Sequence, residues 1–373
     1  MNNIRVLEVN KAYFPHIGGI ETVVRQYTEG LGRLPGVSVK VLACRSGAGR
    51  TLRRRVNGID VTFAGSIGTY LSCPVSLPFI GYFRKMAAKS DVVHIHFPFP
   101  LADIALLLSG FRGKVIVSWH SDIISQKRLM PLYRPFMRYL LDRADCILAA
   151  TEGHISGSDV LGRYRHKCRI LPYGIRAEQF SGSGDDFLTE KCSGKDSVKL
   201  LFTGRLVYYK GIDVLIRAAA KTDGCELFIA GDGILREELE DLAVRCGIGS
   251  RVHFLGTLTD DELRRAYADC DIFVLPSVKR SEAFGLVQLE AMASGKPVIN
   301  TRLRSGVPCV SLHGKTGITV RPGDADMLAA AINRLASDSR LRQELGRRGR
   351  ERVMEVFDEE KTIQKLRDMI SEQ

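Results

Sequence analysis

Two glutamates in the stretch SEAFGLVQLEAM, residues 281–292, have the types and spacing that acid–base or binding chemistry needs. Glu282 and Glu290 are eight positions apart, so a continuous helix would put both carboxylates on one face. Gly285 lies between them and argues against an unbroken helix. Two carboxylates can serve as nucleophile and proton donor, or each can accept hydrogen bonds from a vicinal diol. The spacing alone leaves both chemistries open.

Two cations beside glycines form a second candidate group. Gly204 and Arg205 follow the apolar run 198–203, and Lys210 and Gly211 precede a segment with the apolar spacing of a helix. Arginine binds phosphate oxygens in a bidentate manner, and lysine adds a mobile point charge. The loop therefore predicts a diphosphate site, with a solvated surface turn as the alternative.

A pair of glycines near the N-terminus forms a third candidate. Gly18 and Gly19 precede a segment that has helical spacing from Glu21 onward. Glycines at a helix N-terminus let an anion approach the backbone N–H groups. A tight strand-to-helix turn would have the same sequence, so this signal is weak when taken alone.

The remaining reactive residues predict no metal or redox site. The nine cysteines are scattered and contain no C-x-x-C pair. The G-x-G at 231–233 lacks the third glycine of a dinucleotide loop. The D-x-D pairs at 269–271 and 324–326 fall at a strand start and at a helix cap. We expect His94 and His96 to be structural.

These candidates must be positioned by strands and helices that alternate along the whole chain. Runs rich in Val and Ile, apolar on both faces, are typical of strands buried in parallel sheets. We predict an α/β fold of two Rossmann-like, doubly wound parallel-sheet domains that face each other across a cleft. The strand candidates are residues 4–9, 37–43, 59–64, 91–96, 114–119, 145–150, 168–172, 198–203, 225–230, 251–256, 271–276, 297–301 and 317–320.

Composition suggests where the domains meet. A polar, Gly/Ser-rich stretch at 181–197 is predicted to be a linker between an N-terminal domain, 1–180, and a C-terminal domain, 198–354. A C-terminal helix at about 355–373 is expected to pack back on the first domain. Ligands bind at the carboxyl ends of the strands in such sheets, where both glycine loops fall.

The formal charge of +12 is concentrated in the first half of the chain. Residues 1–180 hold 25 Lys or Arg and 12 Asp or Glu, whereas residues 181–373 hold 29 and 30. This asymmetry predicts an anionic partner, which could be nucleic acid, a membrane surface or a phosphorylated substrate. The densest run, RTLRRR at 50–55, would also suit a solvated surface loop.

The apolar runs are too short to span a bilayer. The first ten residues, MNNIRVLEVN, enter a strand-like run directly, without a basic leader and an apolar core. The sequence therefore predicts a cytosolic chain.

Several motifs together resemble the family 4 glycosyltransferases, which have the two-domain GT-B architecture. The C-terminal half contains GRLVYYKG, GDGILREEL, FVLPS, SEAFGLVQLEAMASGKPVI and TGITVRPGD in the family's order. The N-terminal half fits through FPHIGGIE, HIHFPFPLADIA, VSWHSDI and ILPYGI. The resemblance covers essentially the whole chain and is most specific at 200–325. Within the family, it points to bacterial mannosyl- or rhamnosyltransferases of surface polysaccharide synthesis.

The resemblance implies which residues bind the donor. The C-terminal domain would hold a nucleotide sugar, with Arg205 and Lys210 on the diphosphate. Glu282 would bind sugar hydroxyls, and Glu290 would accept hydrogen bonds from the ribose. The stretch Ala283, Phe284, Gly285 and Leu286 would place backbone amides near sugar and phosphate.

The resemblance also implies roles for the N-terminal domain, which would bind the acceptor. Gly18 and Gly19 would close over the diphosphate, and His120 matches a histidine near the reacting sugar. His120, Arg205, Lys210 and Glu282 are thus the expected catalytic group. Preorganised cations can stabilise the leaving diphosphate, so no metal or other cofactor is expected.

The expected reaction is transfer of a hexose, with retention of anomeric configuration, to a lipid-linked sugar or oligosaccharide in lipopolysaccharide or O-antigen synthesis. GDP-mannose is the favoured donor, and dTDP-rhamnose or a UDP-glucose or UDP-galactose donor is the alternative. The basic domain would then bind the anionic cytoplasmic face of the inner membrane as a peripheral protein. A nucleic-acid-binding protein is the alternative of another class, supported by the charge alone. A nucleotide-sugar epimerase fits SEAFGLVQLE less well, and a dehydrogenase would need G-x-G-x-x-G after the first strand.

Overall fold

The computed structural model describes residues 3–16, 18–70, 73–123, 129–182, 186–194 and 196–372. The chain divides into two compact units. Unit 1 comprises Met1–Gly174 together with Glu359–Gln373, and unit 2 comprises Ile175–Asp358. Each unit contains one predominantly parallel sheet covered by helices.

Unit 1 is built on an eight-stranded sheet. Its strands and a separate two-stranded hairpin are β1 (Ile4–Val9), β2 (Val37–Cys44), β3 (Leu52–Val56), β4 (Ile59–Ala64), β5 (Gly68–Tyr70), β6 (Cys73–Val75), β7 (Val92–Phe97), β8 (Lys114–Trp119), β9 (Cys146–Ala149) and β10 (Cys168–Ile170). The order in the sheet is β10-β9-β8-β7-β1-β2-β4-β3, and β5 pairs with β6. All neighbours in the large sheet are parallel except β3 and β4. The strand order reverses at β1 and β7, the type of switch point where ligands bind.

Five helices of unit 1 connect these strands: α1 (Gly19–Gly32), α2 (Leu77–Ala87), α3 (Pro100–Ser109), α4 (Met130–Arg143) and α5 (Glu152–Gly157). Helix α1 buries Val23, Val24, Tyr27 and Leu31, which recur at the spacing of one helical face. Helix α2 begins after Ser76, whose hydroxyl accepts a hydrogen bond from the N–H of Phe79.

The arginine-rich run at 50–55 forms part of a strand. Residues Leu52–Val56 pair antiparallel with β4 and form one edge of the large sheet, with Arg53, Arg54 and Arg55 exposed. Charged side chains on an edge strand oppose pairing with another chain. The alternative interpretation of this run as a surface loop is wrong for Leu52–Val56, because three consecutive arginines hide the alternation by which a strand is recognised.

Unit 2 contains a six-stranded, fully parallel sheet. Its strands are β11 (Val198–Thr203), β12 (Cys225–Ala230), β13 (Val252–Gly256), β14 (Ile272–Leu275), β15 (Val298–Thr301) and β16 (Gly317–Val320), in the order β13-β12-β11-β14-β15-β16. The helices are α6 (Ile212–Ala219), α7 (Arg236–Arg245), α8 (Asp260–Asp269), α9 (Val287–Ala293), α10 (Val307–Val310), α11 (Ala325–Ser337) and α12 (Ser339–Val356). The order reverses at β11 and β14, so the loops after these two strands flank the switch point.

The stretch expected as a linker, 181–197, belongs to unit 2 wherever the structure describes it. Leu188 is fully buried, and its N–H and that of Thr189 donate to the carboxylate of Asp269 at 2.7 and 2.8 Å. The polar composition of the stretch concealed this single apolar anchor. Unit 2 therefore begins near Ile175, earlier than the expected boundary at 198.

The last helix, α13 (Glu359–Ser371), belongs to unit 1. Its Ile363 packs against Gly30 of α1, where an added Cβ would lie 2.6 Å from the isoleucine side chain. The ammonium of Lys114 donates to the carbonyl of Met369 at 2.6 Å. Among the helices that the structure describes, none has the length and apolar composition needed to cross a membrane.

Candidate functional site

The loop after β11 holds the two cations of the expected diphosphate site. Gly204 has a φ of 142°, and Arg205 next to it is exposed. Lys210 ends a short 3₁₀ turn, Tyr208–Lys210, and is buried. Gly211 then starts α6 with a φ of 68°, at a point where an added Cβ would lie 2.3 Å from the carbonyl oxygen of Pro276. Glycines at both ends thus allow the loop to turn tightly beside the end of β14.

Lys210 and Glu282 form a direct ion pair. The Nζ atom of Lys210 lies 2.7 Å from Oε2 of Glu282, and the two side chains are only 11% and 10% exposed. The hydroxyl of Ser277 donates to the same carboxylate oxygen at 3.0 Å. Removing one partner of a buried pair leaves the other charge uncompensated, so this pair is sensitive to substitution. Ser277 is a residue of this site that the sequence analysis missed.

Glu282 lies on a loop, and Glu290 lies on a helix. Helix α9 begins at Val287, so the two glutamates do not share one continuous helix. Gly285 separates them with a φ of 75°, and an added Cβ there would lie 2.5 Å from the Leu275 side chain. This agrees with the expectation that Gly285 rules out an unbroken helix between the two glutamates.

A buried amide network holds this loop. The side chain of Gln288 donates to the carbonyl of Phe284 at 2.8 Å, and Asn300 donates to the Gln288 side chain at 2.9 Å. The N–H of Gly306 donates to the carbonyl of Ala283 at 2.7 Å. Because buried amides are costly to leave without partners, these bonds fix the loop from Ala283 to Leu286. This network could not be predicted from the sequence, since Asn300 and Gly306 reach the loop only through the fold.

Glu290 is bonded to a tyrosine of α8, which in turn contacts the end of β11. The Tyr267 hydroxyl donates to Oε2 of Glu290 at 2.7 Å and lies 2.7 Å from the hydroxyl of Thr203. Burial raises the pKa of Glu290 above the usual range for a carboxyl. Glu282 thus contacts Ser277, directly beyond β14, and Glu290 is connected through Tyr267 to Thr203 at the end of β11.

His120 lies directly after β8 in unit 1 and is buried. Its Nδ1 lies 2.6 Å from the hydroxyl of Tyr173, and its Nε2 lies 2.9 Å from Nδ1 of His96. Burial holds the pKa of His120 well below the usual value, so the ring is neutral at pH 7. Both ring nitrogens therefore have partners within unit 1.

Gly18 and Gly19 lie at the start of α1, where Gly18 is half-buried and Gly19 is exposed. Gly18 has an extended φ of −174°, and an added Cβ would lie 2.3 Å from the Oε2 atom of Glu21. Gly18 thus permits close packing of the Glu21 carboxylate. Ile17 lies outside the described residues.

The motifs set aside in the sequence have structural roles. An added Cβ on Gly231 would lie 2.0 Å from the Gly204 carbonyl oxygen, so this glycine permits close packing of two loops. Asp269 binds backbone N–H groups and Lys199, and Asp324 caps α11 by accepting from the N–H of Met327. These contacts account for the G-x-G and for one aspartate of each D-x-D pair.

Two family models match the chain over most of its length. "Glycosyl transferase 4-like domain" matches residues 18–174, and "Glycosyl transferases group 1" matches residues 189–352.

Similar proteins include D-rhamnosyltransferase WbpZ of Pseudomonas aeruginosa, which is 34% identical over 366 residues, 95% of this chain and 92% of that protein. The O-antigen chain mannosyltransferase C of Escherichia coli is 30% identical over 355 residues, 95% of this chain and 94% of that protein. The crystal structure of HepE of Anabaena in complex with UDP and glucose has a TM-score of 0.80, with 20% identity over 99% of this chain and 100% of that one. The chain is a glycosyltransferase of the group 1 family with the GT-B fold, as its motifs predict.

Proposed function

We propose that the protein is a retaining hexosyltransferase that moves mannose from GDP-mannose to a lipid-linked sugar or oligosaccharide in lipopolysaccharide or O-antigen synthesis. The names of the two relatives, a D-rhamnosyltransferase and an O-antigen chain mannosyltransferase, support this class of product. The alternative donors are dTDP-rhamnose, UDP-glucose and UDP-galactose.

The Lys210–Glu282 pair is the observation that carries the proposal. In a nucleotide sugar, the β-phosphate is bonded to the anomeric carbon, so phosphate oxygens and sugar hydroxyls are only a few bonds apart. An ammonium and a carboxylate in direct contact can bind such neighbouring groups at once. Arg205 is the exposed cation of the same loop and is assigned to the diphosphate with Lys210.

The cations act on the leaving group. As the glycosidic bond breaks, the nucleoside diphosphate gains negative charge, which Lys210 and Arg205 stabilise. This chemistry needs no divalent metal, so activity is expected to persist in EDTA. Glu290 accepts hydrogen bonds from the ribose, and the loop from Ala283 to Leu286 places backbone amides near the sugar and phosphate.

Glu282 is assigned to binding and not to nucleophilic attack. Its Oε2 already accepts from Lys210 and Ser277, and both contacts lower the nucleophilicity of the carboxylate. The acceptor hydroxyl then passes its proton to a phosphate oxygen of the donor. His120 is assigned to the reacting sugar, and Gly18 and Gly19 are assigned to the diphosphate.

A second part of the proposal concerns the membrane. Unit 1 contains 27 Lys or Arg and 15 Asp or Glu, whereas unit 2 contains 27 of each, so the formal charge of +12 belongs to unit 1. Arg53, Arg54 and Arg55 line a surface groove with Lys85 and Lys89. We assign this basic groove to the anionic cytoplasmic face of the inner membrane, where a lipid-linked acceptor would lie.

The donor is tested by mass action. Thermal unfolding is followed with GDP-mannose, dTDP-rhamnose, UDP-glucose and UDP-galactose, since a ligand at about 100 times its Kd stabilises the folded state by about 2.7 kcal/mol. GDP-mannose is expected to give the largest shift and to release GDP when an acceptor is added. Release of UDP or dTDP instead would select an alternative donor, and the absence of turnover with all four would contradict the proposal.

A further inference from the structure

One face of the unit 1 sheet contains five polar residues on or beside three adjacent strands. Glu8 lies on β1, His94 and His96 on β7, and Ser118 on β8, with His120 directly after β8. All five are buried, between 0% and 3% exposed. Alternate residues of a strand point to the same face, which explains the i and i+2 spacing of His94 with His96 and of Ser118 with His120. Such a cluster needs a functional or structural reason, because buried polar groups are costly unless paired.

Hydrogen bonds connect these residues into one chain. His94 Nδ1 lies 3.1 Å from Glu8 Oε1, and His96 Nε2 lies 2.8 Å from Glu8 Oε2. His96 Nδ1 then contacts Nε2 of His120, whose Nδ1 contacts the Tyr173 hydroxyl. On the other side of Glu8, His94 Nε2 lies 2.8 Å from the hydroxyl of Ser118.

Chemistry fixes the position of each proton between Glu8 and Tyr173. Burial alone would raise the pKa of Glu8, but the two imidazoles outweigh burial and hold it at about 2, so the carboxylate only accepts. His96 must therefore donate through Nε2. Burial lowers the pKa of His96 to about 4, so its Nδ1 is bare and accepts from Nε2–H of His120. His120 is neutral as well, and its bare Nδ1 accepts from the Tyr173 hydroxyl.

Three residues of this chain of hydrogen bonds, Glu8, His94 and His96, have possible ligand atoms within 4.8 Å of one another, as a metal site would. The separations of 2.8 and 3.1 Å between imidazole nitrogens and carboxylate oxygens are those of hydrogen bonds. The remaining nitrogens of both rings are bonded to Ser118 and His120. Hydrogen bonds with defined proton positions thus account for every ring nitrogen of His94 and His96.

We propose that Glu8 and His96 are positioning residues that hold His120 in one neutral tautomer, protonated on Nε2, beside the reacting sugar. The proposal depends on the proposed function, in which positive charge develops at the anomeric carbon during transfer. An imidazolium at this place would repel that charge, whereas a neutral ring does not. In this arrangement His120 also gives and takes no proton during transfer, because both ring nitrogens are engaged in hydrogen bonds to His96 and Tyr173.

The first test is a readout that needs no activity. Long-range ¹H–¹⁵N spectra of histidine-labelled full-length protein are expected to show His120 and His96 neutral and protonated on Nε2 from pH 6 to 8. A proton on Nδ1 of His120, or a charged ring at pH 7, would overturn the proposal. So would a stoichiometric metal ion in the purified protein that is lost on substitution of Glu8.

The second test compares variants of the chain of hydrogen bonds. His96→Leu removes the acceptor for His120 and is expected to lower kcat at least about tenfold, with KM for the donor changed less than about twofold. His96→Gln offers an amide that donates to Glu8 and accepts from His120, so kcat should largely return. Ser118→Ala is the matched control, since it removes a bond on the far side of Glu8 and should leave the His120 tautomer unchanged.

These outcomes separate the inference from the proposed function. Wild-type kcat in His96→Leu, or an equal loss of kcat in Ser118→Ala, would overturn the positioning role. If His96→Leu does not fold, an Nδ1-protonated His120 in His96→Gln would overturn it. Loss of the proposed donor chemistry would leave the tautomer spectra as predicted.

Discussion

At the scale of single residues, the site depends on carboxylates and cations whose partners are now defined. Lys210 and Glu282 could be proposed from the sequence, Lys210 as a cation beside a glycine and Glu282 by its spacing from Glu290, and the structure brings the two side chains into direct contact. Ser277, Tyr267 and Glu8 were not recognised, since their importance comes from hydrogen bonds that only the folded structure reveals. Hydrogen-bond partners are set by tertiary packing, which a spacing argument cannot supply.

Glu290→Gln is expected to raise KM for the donor about tenfold to a hundredfold and to change kcat less, because a hydrogen bond to a charged group contributes about 1.5–3 kcal/mol. The glutamine oxygen can still accept from Tyr267, so the fold should be retained. Steady-state kinetics checks this, with the exposed pair partner Glu240→Gln as the control. An unchanged KM in Glu290→Gln would contradict the ribose assignment.

The pKa of Glu290 predicts a pH dependence of donor binding. Burial raises this pKa, so Glu290 gains its proton at a higher pH than an exposed carboxyl does. As the pH falls, wild-type Glu290 loses the ionised form that accepts hydrogen bonds from the ribose. The KM for the donor should therefore rise. KM of Glu290→Gln should not follow this rise; parallel profiles for the two proteins would contradict the account.

At the scale of elements, most strands of both sheets could be predicted, because short Val- and Ile-rich runs that alternate with helical segments are typical of buried parallel strands. Strand β3 could not, since its three exposed arginines carry no apolar alternation. The absence of a continuous helix from Glu282 to Glu290 was predictable from Gly285. The buried network that holds the loop before α9 was not, because Gln288 and Asn300 are ordinary helix and strand residues until packing brings them together.

Gly285→Ala is expected to destabilise unit 2 and to displace the loop that carries Glu282. The change forces an alanine to a φ of 75° and brings its Cβ to 2.5 Å from Leu275. Gly295→Ala is the matched control, with a φ of 71° but nothing within 4 Å of the added Cβ. Strain at such a φ costs about 1–3 kcal/mol, and overpacking at Gly285 should add about 1–3 kcal/mol. Chemical denaturation measures the difference; equal losses in both variants would refute the role of packing against Leu275.

At the scale of the whole molecule, the sequence indicated two α/β domains and an uneven charge. Helix α13 belongs to unit 1 and adds acidic residues to it. The formal charge of +12 nevertheless still belongs to unit 1. The expected linker was misplaced because one buried leucine, Leu188, outweighs a polar composition. Boundaries of this kind depend on a few anchoring contacts rather than on average composition.

The basic groove predicts salt-sensitive binding to anionic vesicles. Vesicle binding should weaken about a hundredfold in the triple variant Arg53→Ser, Arg54→Ser and Arg55→Ser, since each basic residue near the membrane surface contributes about 1 kcal/mol. The control is Arg334→Ser, Arg340→Ser and Arg347→Ser in unit 2, which changes the charge equally. Sedimentation with phosphatidylglycerol vesicles at low and high salt measures both. Equal weakening in the two triple variants, or no binding of the wild type at low salt, would refute the assignment of the groove to the membrane.

Buried histidines predict acid sensitivity of unit 1. Burial lowers the pKa of His96 and of His154 to about 4 and holds the pKa of His120 well below its usual value. These rings are neutral in the folded protein and take up protons near pH 6.5 once unfolded. Their contribution to the free energy of unfolding is therefore fully present above that pH and is lost as the pH falls toward 4, by about 1.4 kcal/mol per pH unit for each ring. Hydrogen-exchange protection of β1, β7 and β8 should fall accordingly, with β11 and β12 of unit 2 as the internal reference. Equal loss in both units would contradict this.

The most direct test of the central claim is the kcat/KM of Lys210→Ala for the nucleotide-sugar donor. Loss of one preorganised cation should lower kcat/KM by about 10²–10³-fold or more. Lys221→Ala, which removes an exposed lysine paired with Asp326 in the same unit, should leave it near the wild-type value. Circular dichroism verifies that both variants fold. A folded Lys210→Ala protein with wild-type kcat/KM would contradict the assignment of this loop to the donor diphosphate.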